Sequence, residues 1–273
     1  MFKSNCHTHT TYCDGKNSAE DMVIAAIEKG FKSIGFSGHG PMIYESDWAM
    51  SKKNIDEYID EIKHLKDKYA DKIDVLCGLE LDADYSVFDS GKFDHFICSV
   101  HQFIENGKDY PIDFSADALA QLVDELFDGD WIKMAAAYYD KLADFVIKMK
   151  PQVVGHFDLI TKYNDNNAQF DVNNTEYQRI ALSAVDRILD ADSDVLFEVN
   201  TGAMFRLGNS APYPAEFIMK HLCDRNAKLT VTSDAHCVEA LDFAFDIAYK
   251  HCRDNGFNKL YALSSDGRVE FNI

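Results

Sequence analysis

This sequence of 273 residues has few basic side chains and no long hydrophobic run. It contains 27 lysines and arginines against 46 aspartates and glutamates, which gives a formal net charge of -19 at pH 7. Nucleic-acid-binding proteins need a basic surface over the phosphates, so this balance argues against that class. No segment approaches the ~20 apolar residues of a membrane span, and we expect no association with a membrane.

The seven cysteines form no C-x-x-C pair, and their number is odd. A disulfide framework is therefore not expected. The first residues, MFKSNCHTHT, lack the apolar core of a secretory signal. These observations predict a protein of the reducing cytoplasm and leave its oligomeric state open.

Proline and glycine are also sparse, with five prolines and 14 glycines and no segment that reads as a linker. Residues 1–273 are therefore predicted to form a single domain. Hydrophobic residues make up 47% of the chain and aromatic residues 12%, enough for a large core. Global disorder is excluded on that ground.

Short apolar segments alternate with longer amphipathic ones along the chain. The apolar pattern predicts strands near 2–8, 33–38, 73–82, 93–100, 152–157, 194–201, 228–233 and 259–264. Helical periodicity covers about 18–29, 51–69, 115–127, 131–149, 174–191, 214–226 and 239–255. This alternation is typical of α/β proteins with parallel strands, and at this length it favours a (β/α) barrel or a distorted relative. A doubly wound open sheet is the alternative, although no glycine-rich nucleotide motif follows the first strand.

Six of the ten histidines lie at or just after the end of a predicted strand. A (β/α) barrel builds its active site at these ends. The six are His7, His9, His39, His101, His156 and His236. The other four fall mostly on predicted amphipathic helices, and they are His64, His95, His221 and His251.

Two strand ends carry paired side chains that can bind metal. His7 and His9 form an H-x-H pair, whose imidazoles point to the same side of a strand. Asp234 and His236 form a D-x-H pair near the other end of the chain. Taken singly, such residues also occur as surface pairs or buried core histidines.

Two further carboxylates belong to the same pattern. Asp14 follows the H-x-H pair in TYCDG, where an Asp-Gly turn is the alternative explanation. Glu80 lies in the apolar segment LCGLELD, where an unpaired carboxylate would be costly. Nine imidazoles and carboxylates at strand ends together favour a site for several metal ions over nine unrelated structural roles.

In this order along the chain, these motifs resemble those of the PHP (polymerase and histidinol phosphatase) superfamily. The resemblance rests on HTH at 7–9, SGHG at 37–40, GLE at 78–80, SVH at 99–101, GH at 155–156 and SDAH at 233–236. The segments HTTYCDG, GHFDLITKYN and NTGAMFR are most similar to the histidinol-phosphate phosphatases of that superfamily. The resemblance implies a distorted (β/α)7 barrel of the TIM type, with three divalent metal ions at the C-terminal face of its strands.

The resemblance also assigns nine ligands to the three ions. The first ion would be held by His7, His9, Glu80 and Asp234, the second by Glu80, His101 and His156, and the third by Asp14, His39 and His236. Asp14 stands where many members have a histidine, which can change the metal preferred there. These ligand types suit manganese, iron and zinc alike.

The implied function is a metal-dependent phosphomonoesterase that hydrolyses L-histidinol phosphate to L-histidinol and phosphate, a step of histidine biosynthesis. A hydroxide bridging the metal ions would attack phosphorus. Glu80 would bridge two ions, and Asp234 is the candidate for assisting protonation of the leaving alcohol. Three divalent ions with three carboxylates and one hydroxide leave a charge of about +2, which suits a phosphate dianion.

Two basic residues are predicted to contact the small phosphorylated substrate. Arg206, in AMFRLGN, is a candidate phosphate clamp because guanidinium grips phosphate in a bidentate manner. Lys162 stands where related phosphatases are expected to have arginine, and it keeps the charge but loses the fork. Trp48 lies in the loop after the strand that leads to His39. Two roles remain open for its side chain, packing in the core and covering the site as a lid.

Three other functions remain open at this point. A PHP-type phosphoesterase could act on another small phosphate ester or a nucleotide with the same metals. An amidohydrolase-like enzyme also has H-x-H on its first strand, but it would usually carry a metal-bridging lysine. A metal-storing or regulatory domain without turnover is the alternative outside the enzymes.

Overall fold

The computed structural model describes residues 2–44, 46–86 and 89–273. In chain order the strands are β1 (Ser4–Asn5), β2 (Ser33–Phe36), β3 (Asp74–Asp82), β4 (His95–Ser99), β5 (Gln102–Glu105), β6 (Lys108–Pro111), β7 (Val153–Val154), β8 (Leu196–Asn200), β9 (Lys228–Thr232), β10 (Lys259–Ser264) and β11 (Gly267–Asn272). The α-helices are α1 (Ala19–Glu28), α2 (Asn54–Lys68), α3 (Ala116–Phe127), α4 (Trp131–Met149), α5 (Thr175–Ala191), α6 (Gly202–Leu207), α7 (Glu216–Asp224) and α8 (Phe245–Asp254).

Seven strands form one parallel sheet in the order β1-β2-β3-β4-β7-β8-β9. The two edges of this sheet meet just beyond the ends of β1 and β9. There Thr8 pairs with Ala235 in parallel, and the amide of His9 donates to the carbonyl of Ala235 at 2.8 Å. The sheet is therefore a nearly closed seven-stranded barrel, and the distorted (β/α)7 fold expected from the sequence is confirmed.

Apolar side chains fill two layers of the molecule. The larger cluster lies between the barrel and its helices and includes Phe36, Tyr58 and Phe197. A smaller cluster fills the lower half of the barrel and consists of Cys6, Leu76, Ile97, Val153, Leu196 and Leu263. Because side chains alternate along a strand, the inward residues above this plug are the ones that face the upper, C-terminal mouth of the barrel.

The antiparallel hairpin of β10 and β11 covers the lower end of the barrel. Leu263 of β10 belongs to the cluster inside the barrel, and its carbonyl accepts from the hydroxyl of Ser33 at 3.0 Å. The segment 259–264 is thus a strand, as its pattern predicts, but it stands outside the parallel sheet. Its antiparallel partner β11, which the sequence reading did not anticipate, satisfies its backbone instead.

His95 lies on a strand, as the apolar segment 93–100 predicts, and it is not one of the candidate ligands. It begins β4 and is buried at the bottom of the barrel, where Nε2 lies 2.9 Å from the carbonyl oxygen of Cys6. The His95 ring packs closely on Gly78, where an added Cβ would lie 2.3 Å from Cε1 of that ring. Glycine at that position makes room for the ring inside the barrel.

Most helices follow the predicted periodicity, and α1 shows why, but the last one, expected over 239–255, begins only at Phe245. The N-cap of α1, Ser18, accepts from the amide of Asp21 at 3.1 Å and donates to the Asp21 carboxylate at 2.7 Å. Gly30, with φ +76°, ends the helix. The short helix α6 and the hairpin of β5 and β6 were not anticipated. Within the described part of the chain, no helix is both long and apolar enough to span a bilayer.

Candidate metal centre

Six of the seven barrel strands deliver a predicted ligand to the upper mouth of the barrel. β1 leads to His7, His9 and Asp14, β2 to His39, β3 carries Glu80, β4 leads to His101, β7 to His156, and β9 to Asp234 and His236. Their nitrogen and oxygen atoms form four groups that share members. Within each group, the candidate ligand atoms lie within 4.8 Å of one another. All nine residues proposed from the sequence are therefore brought together.

Glu80 lies at the centre of the cluster and faces five histidines. Its Oε2 is 3.2 Å from Nε2 of His7, 3.5 Å from Nε2 of His9 and 3.1 Å from Nδ1 of His39. Its Oε1 is 3.3 Å from Nε2 of His101 and 2.9 Å from Nε2 of His156. Oε2 of Glu80 thus faces one set of histidines and Oε1 faces the other. A carboxylate that bridges two metal ions requires this arrangement.

Asp14 organises the outer part of the cluster, closer to solvent. Its Oδ2 lies 3.1 Å from Nε2 of His236 and 3.8 Å from Nε2 of His39. Its Oδ1 lies 3.4 Å from Nδ1 of His9. Asp14 is about one-third exposed whereas His9 is fully buried, so this group spans the cluster from the barrel interior to the surface.

Asp234 joins the cluster to the helix that follows β8. Its Oδ1 is 3.2 Å from Nε2 of His9, and its Oδ2 accepts from Nη2 of Arg206 at 2.7 Å. The guanidinium passes over Gly202, where an added Cβ would lie 3.0 Å from Nη2. Arg206 therefore lies beside the candidate ligands, and its contact with a phosphate stays a prediction.

Several buried atoms at the centre of the cluster lack hydrogen bonds within the described residues. They are Nε2 of His7, Nε2 of His9 and Oε2 of Glu80. Buried polar atoms almost always have a partner, and a cation would satisfy two imidazole nitrogens and a carboxylate oxygen at once. The donor set therefore fits divalent metal ions.

The protonation of the cluster also suits cations. Burial raises the pKa of Glu80, but His7, His101 and His39 outweigh burial and hold the pKa well below its ordinary value. Burial lowers the pKa of His39 to about 3, which leaves its imidazole neutral. The central carboxylate is thus ionised and this imidazole has a free lone pair at neutral pH, as metal binding requires.

His7 shows the opposite shift. Burial lowers the pKa of this imidazole, but Glu198, Glu80 and Asp234 outweigh burial and raise the pKa to about 10. Three carboxylates therefore surround one ring. A divalent cation placed among them would replace the proton as the positive charge.

Two buried carboxylates behind the cluster were missed by the sequence reading. Oε2 of Glu198 lies 2.9 Å from Nδ1 of His7, and Oδ2 of Asp82 lies 3.2 Å from Nδ1 of His101. The sequence pattern that identified Glu80, an acidic residue within an apolar strand, could also have identified these two carboxylates. Both residues carry it, in VLFEVN and GLELD.

A cavity of about 660 Å³ opens beside the cluster. On one side it is lined by the candidate ligands Asp14, His39 and His101. The remaining wall combines carboxylates with aromatic rings and includes Tyr44, Asp47, Trp48, Asp109, Asp113 and Phe114. Trp48 meets the ring of His39 edge-on at 4.8 Å and lines this cavity, so its side chain is part of the pocket wall.

Lys162 lies beneath the same wall and points at Asp113. Its ammonium donates to the Asp113 carboxylate at 3.0 Å and to the Asp113 carbonyl at 2.9 Å. The hydroxyl of Tyr163 donates to that carbonyl as well, at 2.7 Å. Lys162 therefore holds the segment that carries Asp113 and Phe114 into the cavity.

Comparison with known proteins gives a family and a set of relatives. The model of the PHP domain matches residues 5–202. A protein of Schizosaccharomyces pombe named "Probable histidinol-phosphatase" is 26% identical and covers 98% of this chain and 92% of its own length. The histidinol-phosphatase of Bacillus subtilis is 24% identical and covers 92% of this chain and its own full length.

A solved structure shares the fold. Histidinol phosphate phosphatase from Lactococcus lactis subsp. lactis, in complex with zinc, L-histidinol and phosphate, superposes with a TM-score of 0.69 at 19% identity. The match covers 98% of each chain. At this identity the likeness establishes a common architecture over the whole barrel.

Proposed function

Because this chain belongs to the PHP domain family, we propose that it is a metal-dependent phosphomonoesterase that hydrolyses L-histidinol phosphate to L-histidinol and phosphate in histidine biosynthesis. The observation that carries the proposal is the convergence of nine imidazoles and carboxylates beside an acidic, aromatic cavity. The names of the relatives support the phosphatase activity, and the Lactococcus lactis enzyme was solved with zinc and both reaction products.

The proposed metal centre holds three divalent ions of manganese, iron or zinc. Glu80 would bridge two of them, since its two oxygens face different histidines. When bound, the ions supply Lewis-acid chemistry, because they polarise phosphoryl oxygens and provide hydroxide at neutral pH as the nucleophile. The nine side chains fix the positions at which that charge is concentrated.

We propose that Arg206 contributes positive charge on the substrate side. Lys162, which was expected to contact the substrate, is instead proposed to support the cavity wall, because its ammonium is paired with Asp113. Arg206 lies beside Asp234, and its side chain is about 29% exposed, which supports its proposed contact with a phosphate oxygen. Lys162 acts through Asp113, whose backbone and carboxylate it binds. We propose that Asp234, whose carboxylate contacts both His9 and Arg206, assists proton transfer to the leaving alcohol by relaying a proton from water.

The rest of the cavity suits the other end of the proposed substrate. L-Histidinol carries an amine and an imidazole, both of which bind favourably to carboxylates and to aromatic faces when protonated. Asp47 and Asp109 supply carboxylates in the cavity wall, and Trp48 supplies an aromatic ring. An acidic wall opposite a cationic metal centre selects a substrate with charges of both signs.

Residues 1–273 are proposed to act as one catalytic domain, because Leu263 of the C-terminal hairpin packs inside the barrel. A cytoplasmic location is proposed from the cysteines, all seven of which are free. Hydrolysis of a different phosphate ester by the same centre is the second candidate function. The central position of Glu80 disfavours the amidohydrolase alternative, which would need a bridging lysine there.

Phosphate release from L-histidinol phosphate tests the proposal. The metal-loaded protein should hydrolyse this ester faster than a nucleoside monophosphate, a sugar phosphate or a phosphodiester, and chelation should abolish the activity. His156→Gln should lose activity together with bound metal, because it removes a nitrogen 2.9 Å from Glu80. His64→Gln is the matched control, since His64 is exposed on α2.

Each outcome decides one part of the proposal. Faster hydrolysis of another ester in the panel would replace L-histidinol phosphate as the substrate while keeping the phosphatase chemistry. Bound metal without hydrolysis of any ester would favour a storage or regulatory role. Full activity after complete removal of metal would contradict the metal-dependent mechanism.

A further inference from the structure

Glu198 is a fully buried carboxylate to which the function proposed above gives no role. It lies on β8 between Leu196, which belongs to the apolar plug inside the barrel, and Asn200. Alternation along the strand turns all three side chains into the barrel. Glu198 therefore sits one layer below the mouth, on the one barrel strand that supplies no predicted ligand.

The contacts of Glu198 converge on one imidazole. Its Oε1 and Oε2 lie 3.1 Å and 2.9 Å from Nδ1 of His7, and the amide of Asn200 donates to Oε1. Among the described residues, His7 is its only ion-pair partner. Because a buried carboxylate without compensation is costly, the contact requires Nδ1 of His7 to carry hydrogen.

The other nitrogen of the same ring faces the candidate metal centre. Nε2 of His7 lies 3.2 Å from Oε2 of Glu80 and 3.6 Å from Oδ1 of Asp234, and it makes no hydrogen bond within the described residues. An imidazole that donates through Nδ1 keeps its lone pair on Nε2. The lone pair then points at the place where a cation would meet Glu80 and Asp234.

We propose that Glu198 is a positioning residue of the metal centre: it holds His7 in the Nδ1–H tautomer and aims the Nε2 lone pair at the ion. A carboxylate that accepts from a ligand histidine fixes the ring and raises its basicity as a ligand. The proposal rests on the metal-binding part of the proposed function and is independent of the substrate.

Asp82 and His101 form a similar pair, but that contact has a second purpose. Oδ2 of Asp82 accepts from the backbone amide of His101 at 2.7 Å as well as lying 3.2 Å from its Nδ1. Removal of Asp82 would therefore disturb the chain as well as the ring. Among the described residues, Glu198 makes no such contact with the backbone next to His7, and its other side-chain partner is the amide of Asn200. A change at Glu198 therefore acts on the ring of His7 without removing a backbone contact of His7.

Cobalt binding tests the role of Glu198. Glu198→Gln keeps the shape of the side chain but removes its charge, and we expect the affinity for one Co²⁺ per chain to fall 10–100-fold. The visible absorption of the cobalt-loaded protein should change at the same time, because the orientation of one ligand changes. In a His7→Asn background, Glu198→Gln should have no further effect, since Glu198 acts through His7.

Asp158→Asn is the matched control, because Asp158 is also a buried carboxylate but binds the amide of Ala215 at 2.9 Å. It should keep the wild-type cobalt affinity and spectrum. If Glu198→Gln does not fold, Glu198→Asp retains the charge with a shorter reach and should also weaken binding. Wild-type affinity and spectrum in the folded Glu198 variant would overturn the proposal.

The result is separable from that of the substrate assay. A protein that binds Co²⁺ but releases no phosphate from L-histidinol phosphate would overturn the proposed substrate and leave the role of Glu198 intact. Undiminished cobalt binding by Glu198→Gln would overturn the role of Glu198 and leave the proposed substrate intact. Failure of the wild-type protein to bind Co²⁺ at all would overturn both.

Discussion

Arg206 illustrates how much a single side chain contributes at the mouth of the barrel. Its guanidinium donates to Asp234 at 2.7 Å and lies 3.0 Å from Nδ1 of His236. Burial lowers the pKa of Arg206, but Asp234 outweighs burial and raises the pKa above its ordinary value. Arg206 is therefore a permanent positive charge next to two candidate ligands, which is what a phosphate dianion needs.

Removal of this charge should weaken phosphate binding. Hydrogen bonds to charged groups are worth about 1.5–3 kcal/mol, so Arg206→Ala should lower kcat/KM for L-histidinol phosphate about 10- to 100-fold, mainly through KM. Arg206→Lys should give an intermediate value because it keeps the charge and loses the fork. Steady-state kinetics measure both changes.

A distant arginine provides the control for this prediction. Arg225 follows α7 and forms ion pairs with Asp186 and Asp190. Arg225→Ala should leave kcat/KM unchanged. Unaltered kinetics in Arg206→Ala would remove Arg206 from the site.

At the scale of elements, the beginning of α7 depends on one buried carboxylate. Asp158 follows β7 and accepts from the amide of Ala215 at 2.9 Å, the residue that precedes α7. Its other oxygen has no hydrogen-bond partner within the described residues. Burial raises the pKa of Asp158 to about 6. The folded state thus favours the protonated acid more than the unfolded chain does, and the carboxyl is mostly protonated only below about pH 6.

The raised pKa predicts a pH-dependent effect of Asp158→Asn. The folded pKa lies above the ordinary value of 3.8, so the stabilising contribution is present below about pH 4 and is lost as the pH rises through about 6. At pH 8 the ionised, buried carboxylate costs stability. Asp158→Asn should therefore raise the free energy of unfolding by about 1–3 kcal/mol at pH 8 and by much less at pH 4.5.

Urea unfolding of the metal-free protein at both pH values measures this difference. Asp67→Asn, which changes an exposed carboxylate on α2, should show no such dependence on pH. An equal effect of Asp158→Asn at pH 4.5 and pH 8 would contradict the raised pKa.

Other elements show where periodicity is a sufficient guide and where it is not. Long amphipathic helices such as α4 and α5 were predicted with nearly their observed limits, because many residues repeat one pattern. The helix α6 has only six residues, too few for a period to emerge. The strands β5 and β6 are partly exposed and pair with each other, so their burial pattern carries little signal.

At the scale of the whole molecule, the metal centre lies where the barrel closes. His7 and His9 flank Thr8, which pairs with Ala235, and Ala235 lies between Asp234 and His236. Ions held by these residues would join the first and last strands of the barrel. Metal binding and the stability of the fold should therefore be coupled.

Metal removal should lower the thermal stability of the protein. A ligand at 100 times its Kd stabilises a folded protein by about 2.7 kcal/mol, which corresponds to a rise in Tm of about 5–10 °C for a chain of this size. Calorimetry with manganese and with a chelator measures the difference. Asp234→Asn should reduce it, and His64→Asn should not. Equal Tm values in both conditions would contradict the coupling.

The sequence alone determined the fold and the candidates of the metal centre. Strand ends of a (β/α) barrel share one face, so histidines and carboxylates at those positions converge whatever the exact packing, and local motifs such as H-x-H suffice to find them. The order of the motifs identified the family as well.

The tertiary structure decided which side chains meet. His7 and Glu198 are 191 positions apart in the chain, so the register of the barrel, and no local pattern, brings them within hydrogen-bonding distance. The same holds for Lys162 and Asp113, whose ion pair depends on how the β5–β6 hairpin packs over the mouth. Periodicity reports which face of an element is buried, whereas the partner of a buried charge depends on the closed three-dimensional arrangement.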